Sequence, residues 1–228
     1  MLSTGHKGAY VRWSDYSSKL TEKFTCKYLR GEIQQMKDGF QRLVVGISGA
    51  SGVIYGIRIL EILRDIEEVE THLILTNAAK QTIGMETDFS AGQVEKLADH
   101  SYPIKDISAG PASGTFPCDG MIIAPCSIRT LSAVANSYSS DLLTRTADVT
   151  LKEKRPLVLM VRETPFHLGH LRLMQQVAET GGVIFPPVPA FYNKHKDLDE
   201  VISHTAKRAL EQAGIEIEEM DRWTGPLG

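Results

Sequence analysis

The stretch Arg42-Leu-Val-Val-Gly-Ile-Ser-Gly-Ala-Ser-Gly-Val-Ile-Tyr-Gly56 carries an apolar strand straight into a glycine- and serine-rich turn, and a helix-like spacing of Ile57, Leu60, Ile62 and Leu63 follows at once. Glycines let a backbone approach a ligand, and a helix N-terminus offers unpaired N–H groups and partial positive charge. A strand, turn and helix in this order therefore form a phosphate cradle. Gly46, Gly49 and Gly52 are spaced G-x-x-G-x-x-G, with Ser48 and Ser51 inside the turn. That spacing is neither the G-x-G-x-x-G of dinucleotide sites nor the G-x-x-x-x-G-K-[ST] of a P-loop. A dinucleotide site also wants an acid near the end of the second strand, whereas Thr71-His-Leu-Ile-Leu75 runs into Thr76-Asn77. One phosphate held with hydroxyl contacts fits a mononucleotide, of which FMN is the common case. A glycine-rich turn holding no ligand is the alternative that the turn alone leaves open.

Outward from this turn, strand-like and helix-like runs alternate, which predicts an α/β fold: a single Rossmann-like domain with a mostly parallel sheet flanked by helices. Strands are expected at 42–47, 71–75, 120–124, 156–161 and 183–185, with a weak strand or turn at 104–107. Helices are expected at 53–66, 78–85, 91–99, 128–135, 141–154, 167–180 and 198–213. Four of the strands finish in polar or glycine residues: 48–51, Thr76, 127–130 and Arg162-Glu163. Ligands of open parallel sheets sit beyond the carboxyl ends of the strands, so these four clusters are expected to share one crevice.

The chain has 228 residues, enough for one α/β domain of about 190 residues plus an extension. Residues 1–40 are polar, dotted with aromatics such as Tyr10, Trp13 and Tyr16, and lack the apolar core of a signal peptide. They read as an N-terminal extension, peripheral and partly disordered, or as an over-long translation start, with a helix at 19–36. Residues 41–228 read as the flavoprotein domain. A net charge of −3 gives no pull toward nucleic acid or an anionic membrane. No apolar run approaches the ~20 residues that a transmembrane helix needs. Cys26, Cys118 and Cys126 lack C-x-x-C spacing, which argues against a zinc site or disulfide framework and for a reducing, cytoplasmic compartment. His167 and His170 are three apart with no evident third ligand, so no metal is expected there.

Several residues have plain structural readings from spacing alone. Ser127 suits a helix N-cap before Ile128, a role compatible with ligand contact, and Thr76 suits a β-branched strand end. Asp141 with Arg145 and Asp148 with Lys152 read as i,i+4 surface pairs worth ~0.3–0.5 kcal/mol each. Glu163 precedes Thr164-Pro165 at the end of a buried strand. It reads either as an exposed turn residue or as a general acid–base held at the crevice.

Seven blocks occur in order between 42 and 223: GISGASG (46–52), ETDFS (86–90), ASGTF (112–116), PCSIRTLS (125–132), LLTRTADVTLKEKRPLVLMVRETP (142–165), PPVPAFY (186–192) and RW (222–223). In these blocks the chain resembles the UbiX flavin prenyltransferases, formerly called aromatic-acid decarboxylases. The resemblance implies a metal-independent enzyme that joins a dimethylallyl group from dimethylallyl monophosphate to N5 and C6 of reduced FMN. It implies a UbiD-type decarboxylase as recipient of the prenylated FMN, and a homo-oligomer, a dodecamer built from trimers.

Residue by residue, the resemblance assigns the flavin to Gly49, Ala50, Ser51, Thr76, Ser127, Ile128, Arg129, Thr130 and Arg162. It assigns the prenyl phosphate to Arg145, Lys152, Tyr192 and Arg208, and catalytic parts to Glu163, Ser51, Glu86, Lys152 and Trp223. Glu163 is the acid–base, and Ser51 aids proton transfer near flavin N5. The Trp223 face stabilises allylic positive charge by ~0.5–2 kcal/mol, its plain alternative being a packed tail anchor. Diphosphate-using prenyltransferases carry D-D-x-x-D segments for Mg²⁺. None occurs here, which favours a monophosphate held by basic side chains. Thr76, Thr115 and Thr146 stand where the family has smaller residues, each adding a methyl group. Two alternatives are an FMN carrier without catalysis, which has no use for Glu163, Arg145 and Lys152, and a flavin-dependent decarboxylase of the phosphopantothenoylcysteine type. The latter needs a catalytic His in the region that Asn77 and Ala78 occupy.

Overall fold

A computed structural model describes residues 40–218 together with Met220, Arg222, Trp223 and Gly225. The rest of the N-terminal extension, with the helix expected at 19–36 and Cys26, lies outside the described residues. In chain order the elements are β1 (Gln41–Ile47), α1 (Ile54–Arg64), β2 (Val69–Leu75), α2 (Asn77–Glu86), α3 (Ala91–Glu95), β3 (His100–Tyr102), β4 (Gly120–Cys126), α4 (Ile128–Ala135), α5 (Leu142–Lys152), β5 (Leu157–Val161), α6 (Leu168–Glu179), β6 (Val183–Ile184) and α7 (Leu198–Gln212). Short 3₁₀ turns occupy Gly110–Ala112 and Phe191–Asn193.

The six strands are all parallel and lie in the order β3-β2-β1-β4-β5-β6. This is a doubly wound sheet whose order reverses between β1 and β4. Strands covered on both faces need apolar residues at consecutive positions, and β4 is buried along its whole length. Alternate residues of β1 feed two cores. Leu43, Val45 and Ile47 pack with Ile57 and Leu60 of α1 and Ala206, Ala209 and Leu210 of α7. Val44 belongs to the opposite layer, with Leu131 of α4, Leu143 and Ala147 of α5, and Val177 of α6.

Residues 104–107, expected as a weak strand or turn, form a turn. The third strand lies earlier, at His100–Tyr102, paired with His72–Ile74. Its polar composition hides it from an apolar-run reading, and Pro103, which has no N–H to donate, stops the ladder. Asp99 starts the pairing: its Oδ2 accepts from Thr71 N at 2.7 Å and from Thr71 Oγ1 at 2.8 Å. On the face beside it His72 is buried, and burial pushes its pKa down to about 4 against the opposing pull of Glu70. No helix among the described residues is long and apolar enough to cross a membrane.

α1 lies against β4 so closely that Gly56 has no space for a side chain. A Cβ there presses into the Ala124 carbonyl oxygen and stands 2.7 Å from Ile47 Cδ1. Alanine favours a helix interior over glycine by about 1 kcal/mol, but overpacking against backbone costs about 1–3 kcal/mol. Gly56→Ala is therefore expected to lower the unfolding free energy, and urea titration monitored by circular dichroism measures the sign.

Candidate active site

Backbone hydrogen bonds tie four strand ends into one row. Thr76 N donates to Ile47 O at 3.1 Å, Ser48 N to Pro125 O at 3.2 Å, and Arg162 N to Cys126 O at 3.1 Å. The segments leaving β2, β1, β4 and β5 are thus immediate neighbours at the carboxyl edge of the sheet, where one shared crevice is expected. Its centre is the reversal point between β1 and β4. There Ser48, buried at 1% exposure, donates from Oγ to Pro125 O at 2.8 Å and accepts from Ser127 N at 2.8 Å. Its hydroxyl is a structural tie rather than a free ligand group. Cys126 is also fully buried, and burial pushes its thiol far above neutral pH, so it is no nucleophile.

Three helix N-termini open on this edge. Thr76 caps α2, accepting from Ala79 N at 3.0 Å. Ser127 caps α4, accepting from Thr130 N at 3.3 Å, with the two hydroxyl oxygens 3.1 Å apart. α1 has Val53 at its N-cap and no side-chain cap at all. Gly49 and Ser51 are exposed in the turn ahead of it, with Ala50 half-buried between them. Gly52 takes φ +94°, the left-handed region that favours glycine. Its N–H donates to Glu86 Oε2 at 2.8 Å, which brings the end of α2 over the turn. Partial positive charge converges here from three helices, and an uncapped, glycine-turned one suits a phosphate.

The far side of the crevice comes from β5. Arg162 is exposed and lies near enough to Tyr55, in the first turn of α1, to pull that phenol's pKa down; burial opposes this and wins, raising it. Glu163 is half-buried, with Oε1 accepting from its neighbour Thr164 N at 3.0 Å. Ile128 packs its side chain on the core while Arg129 is exposed. Hydroxyls, backbone N–H groups and a guanidinium around a cleft are the donor set for the phosphate and ring edges of FMN.

The other assigned residues stand elsewhere in the chain. α5 descends from the crevice edge and leads into the start of β5, so Lys152 at its end lies toward the opposite edge of the sheet. The five residues of β5 alone span roughly 17 Å. The expected i,i+4 pairs do not form. Asp141 instead caps α5, accepting from Thr144 N at 2.9 Å. Arg145 pairs with Asp148 at 3.1 Å, three residues on, and Lys152 with the adjacent Glu153. A capping carboxylate that satisfies a helix N–H has more to gain than an exposed pair. Arg145 Nε also donates to Ala112 O at 3.2 Å and Arg155 Nη2 to Gly114 O at 2.9 Å, so the ASGTF loop is strapped to this basic region.

A third group gathers on α7. The rings of Tyr192 and Trp223 are 5.7 Å apart and Tyr192 stands edge-on to His204 at 6.3 Å. Arg208, one turn beyond His204, pairs with Glu211 at 2.6 Å, and Arg222 holds the other oxygen of Glu211. Tyr192 and Trp223 remain exposed at 48% and 62%. The structure thus brings together the residues expected to hold the flavin, and keeps apart from them both Arg145 with Lys152 and the cluster of Tyr192, Arg208 and Trp223. Residue spacing gives no sign of Tyr55, or of the tie made by Ser48, though a hydroxyl directly after a fully apolar strand is the signal for the latter.

The fold and this edge define a doubly wound flavoprotein. The Flavoprotein family model matches residues 31–209. The flavin prenyltransferase UbiX of Escherichia coli K12 is 57% identical over 187 residues, covering 81% of this chain and 99% of that protein. A crystal structure of AnUbiX (PadA1) in complex with FMN and dimethylallyl pyrophosphate superposes with a TM-score of 0.80 at 45% identity, over 82% of this chain and 98% of that one. A dodecameric FMN-dependent UbiX-like decarboxylase from Escherichia coli O157:H7 gives 0.79 at 43% identity, over 81% and 100%. The chain belongs to the UbiX flavin prenyltransferase family.

Ser48 and Ser51, three residues apart, are expected to behave oppositely. Ser48→Ala orphans the half-buried Ser127 N–H and lowers the unfolding free energy by about 1–3 kcal/mol. Ser51, exposed and without a hydrogen bond to described residues, changes it by no more than about 0.5 kcal/mol as Ser51→Ala, while weakening FMN binding. Denaturant titration and flavin fluorescence read the two effects.

Proposed function

We propose that this chain is a flavin prenyltransferase that joins a dimethylallyl group from dimethylallyl monophosphate to reduced FMN, yielding prenylated FMN for a UbiD-type decarboxylase. The observation that carries the reading is the row of four strand ends, with three helix N-termini and Arg162 around it, in a chain 57% identical over 187 residues to a curated flavin prenyltransferase. When bound, reduced FMN supplies the nucleophilic ring positions N5 and C6. The turn 49–51, Thr76, residues 127–130 and Arg162 hold and orient it.

Arg145, Lys152, Arg208 and Tyr192 take the phosphate and stabilise the anion that leaves, which preorganised charges do best where water is excluded. Glu163 gives or takes the proton at the edge of the crevice, with Ser51 beside the turn aiding it and Glu86 positioning the Gly52 N–H. Trp223 turns its ring face toward the allylic charge. Lys152 lies toward the other edge of the sheet from Glu163, so a neighbouring copy supplies the basic group to each crevice. Exposed Phe166, Leu168 and Leu171 support such an assembly, since α6 buries only Val177 among its own residues. The dodecameric relative points the same way. A cytoplasmic location is in keeping with the free thiols of Cys118 and Cys126. A bare FMN carrier has no use for Glu163 or the basic residues.

Anaerobic incubation with reduced FMN and dimethylallyl monophosphate, followed by mass analysis of the flavin, tests the reading: a carrier returns FMN unchanged. Glu163→Gln is expected to retain FMN binding and lower prenyl transfer by roughly 10²-fold or more. Unchanged turnover removes Glu163 from the acid–base role.

A further inference from the structure

We propose that Glu70, His72 and His100 form a binding site for a divalent transition-metal ion of the zinc class, joining β2 to the edge strand β3 and separate from the flavin crevice. One ligand atom from each residue lies within 4.8 Å of the others. Glu70 Oε1 stands 2.8 Å from His100 Nε2 and 3.6 Å from His72 Nε2. Sheet register builds the group: His72 and His100 are direct cross-strand partners with rings stacked at 4.9 Å, and Glu70 precedes His72 by two residues on the same face.

The second observation is the orphaned nitrogen. His72 is 2% exposed, yet its Nε2 has no hydrogen-bond partner among the described residues. A buried polar atom left unpaired is costly, and this one stands 3.6 Å from Glu70 Oε1, beyond hydrogen-bond reach, where an ion between the two gives both a partner. The supports behind the ligands are those that metal sites use. Tyr102 OH bonds His72 Nδ1 at 2.9 Å, which leaves Nε2 for the ion. Arg42 Nε binds Glu70 Oε2 at 2.7 Å, which fixes the carboxylate and leaves Oε1 facing the histidines. Phe116 stands edge-on against His72 at 5.1 Å and closes the apolar side.

Two histidines and a glutamate suit zinc, with the fourth tetrahedral position open to water. The His100 side chain is 51% exposed and gives the entry path. His72 precedes Thr76 by four residues of extended chain, about 13 Å, so the ion is not part of prenyl transfer. It adds a further tie to a three-residue edge strand otherwise held by its ladder with β2 and the Asp99–Thr71 bonds.

The test is titration of the full-length, chelator-treated protein with Co²⁺, a spectroscopic stand-in for Zn²⁺. The expected result is the visible ligand-field absorption of four-coordinate Co²⁺, saturating at one ion per chain and abolished by Zn²⁺. His100→Gln, at an exposed position, and Glu70→Gln, checked for wild-type circular dichroism, are each expected to weaken binding at least about tenfold. His167→Gln, in the other histidine pair, is expected to bind as wild type. No four-coordinate signal in the wild type, unchanged affinity in His100→Gln, or an equal loss in His167→Gln overturns the assignment.

Discussion

The Ser48 hydroxyl sits where the sheet reverses its winding, and the rest of the site depends on what it holds. At that point β1 and β4 run side by side while the chains leaving them diverge to opposite faces. A gap is unavoidable there, and its backbone groups lack ladder partners. Ser48 spans the gap, giving its proton to Pro125 O and accepting from Ser127 N. With the Ser48 N bond to Pro125 O, the two strand ends are locked in one relative position. The turn 49–52 and the start of α4 then face each other across a fixed cleft. Every ligand-directed group on these two segments inherits its place from this one buried tie.

The same constraint explains how the crevice extends sideways. The Thr76 N bond to Ile47 O and the Arg162 N bond to Cys126 O repeat the tie on either side. Each uses a backbone donor just past a strand, so any side chain at that position projects from the sheet edge. That is why residues of four distant segments, 76, 48–52, 127–130 and 162–163, converge without long side chains reaching for one another. Cleft geometry follows from sheet register, and register follows from the apolar pattern that buries both faces of β1 and β4. The basic residues of α5 obey a different constraint. Their helix starts at the crevice edge and must return to the opposite one to begin β5, so topology carries Lys152, at its end, away from the cleft of its own chain.

Most of this was legible in the residues because the signals are local. A glycine turn, a hydroxyl after an apolar strand and the alternation of runs each act over a few positions. The helix bounds agree to within one or two residues where caps mark them, as at Ser127 and Asp197. The helix after Ser90 ends earlier, at Glu95, and β3 was hidden, because pairing with β2 and not its own apolarity makes His100–Tyr102 a strand. Spacing does not give the ion pairs of α5, because Asp141 has a better use as a cap, which leaves Arg145 to Asp148 and Lys152 to Glu153. The separation of Lys152 from Glu163 follows only from strand direction, which no single motif carries. Nor does spacing reveal the Glu70, His72 and His100 group, since its members are brought together by pairing across 28 residues of chain.

Amide hydrogen exchange with and without FMN tests the central claim most directly, because it reads all four strand ends at once. The account predicts slowed exchange on FMN binding in 48–54, 76–79, 127–131 and 162–164 together, with the start of β5 unchanged. Protection confined to another surface, such as 193–207 on the α7 side, with those four segments unaffected, would contradict it.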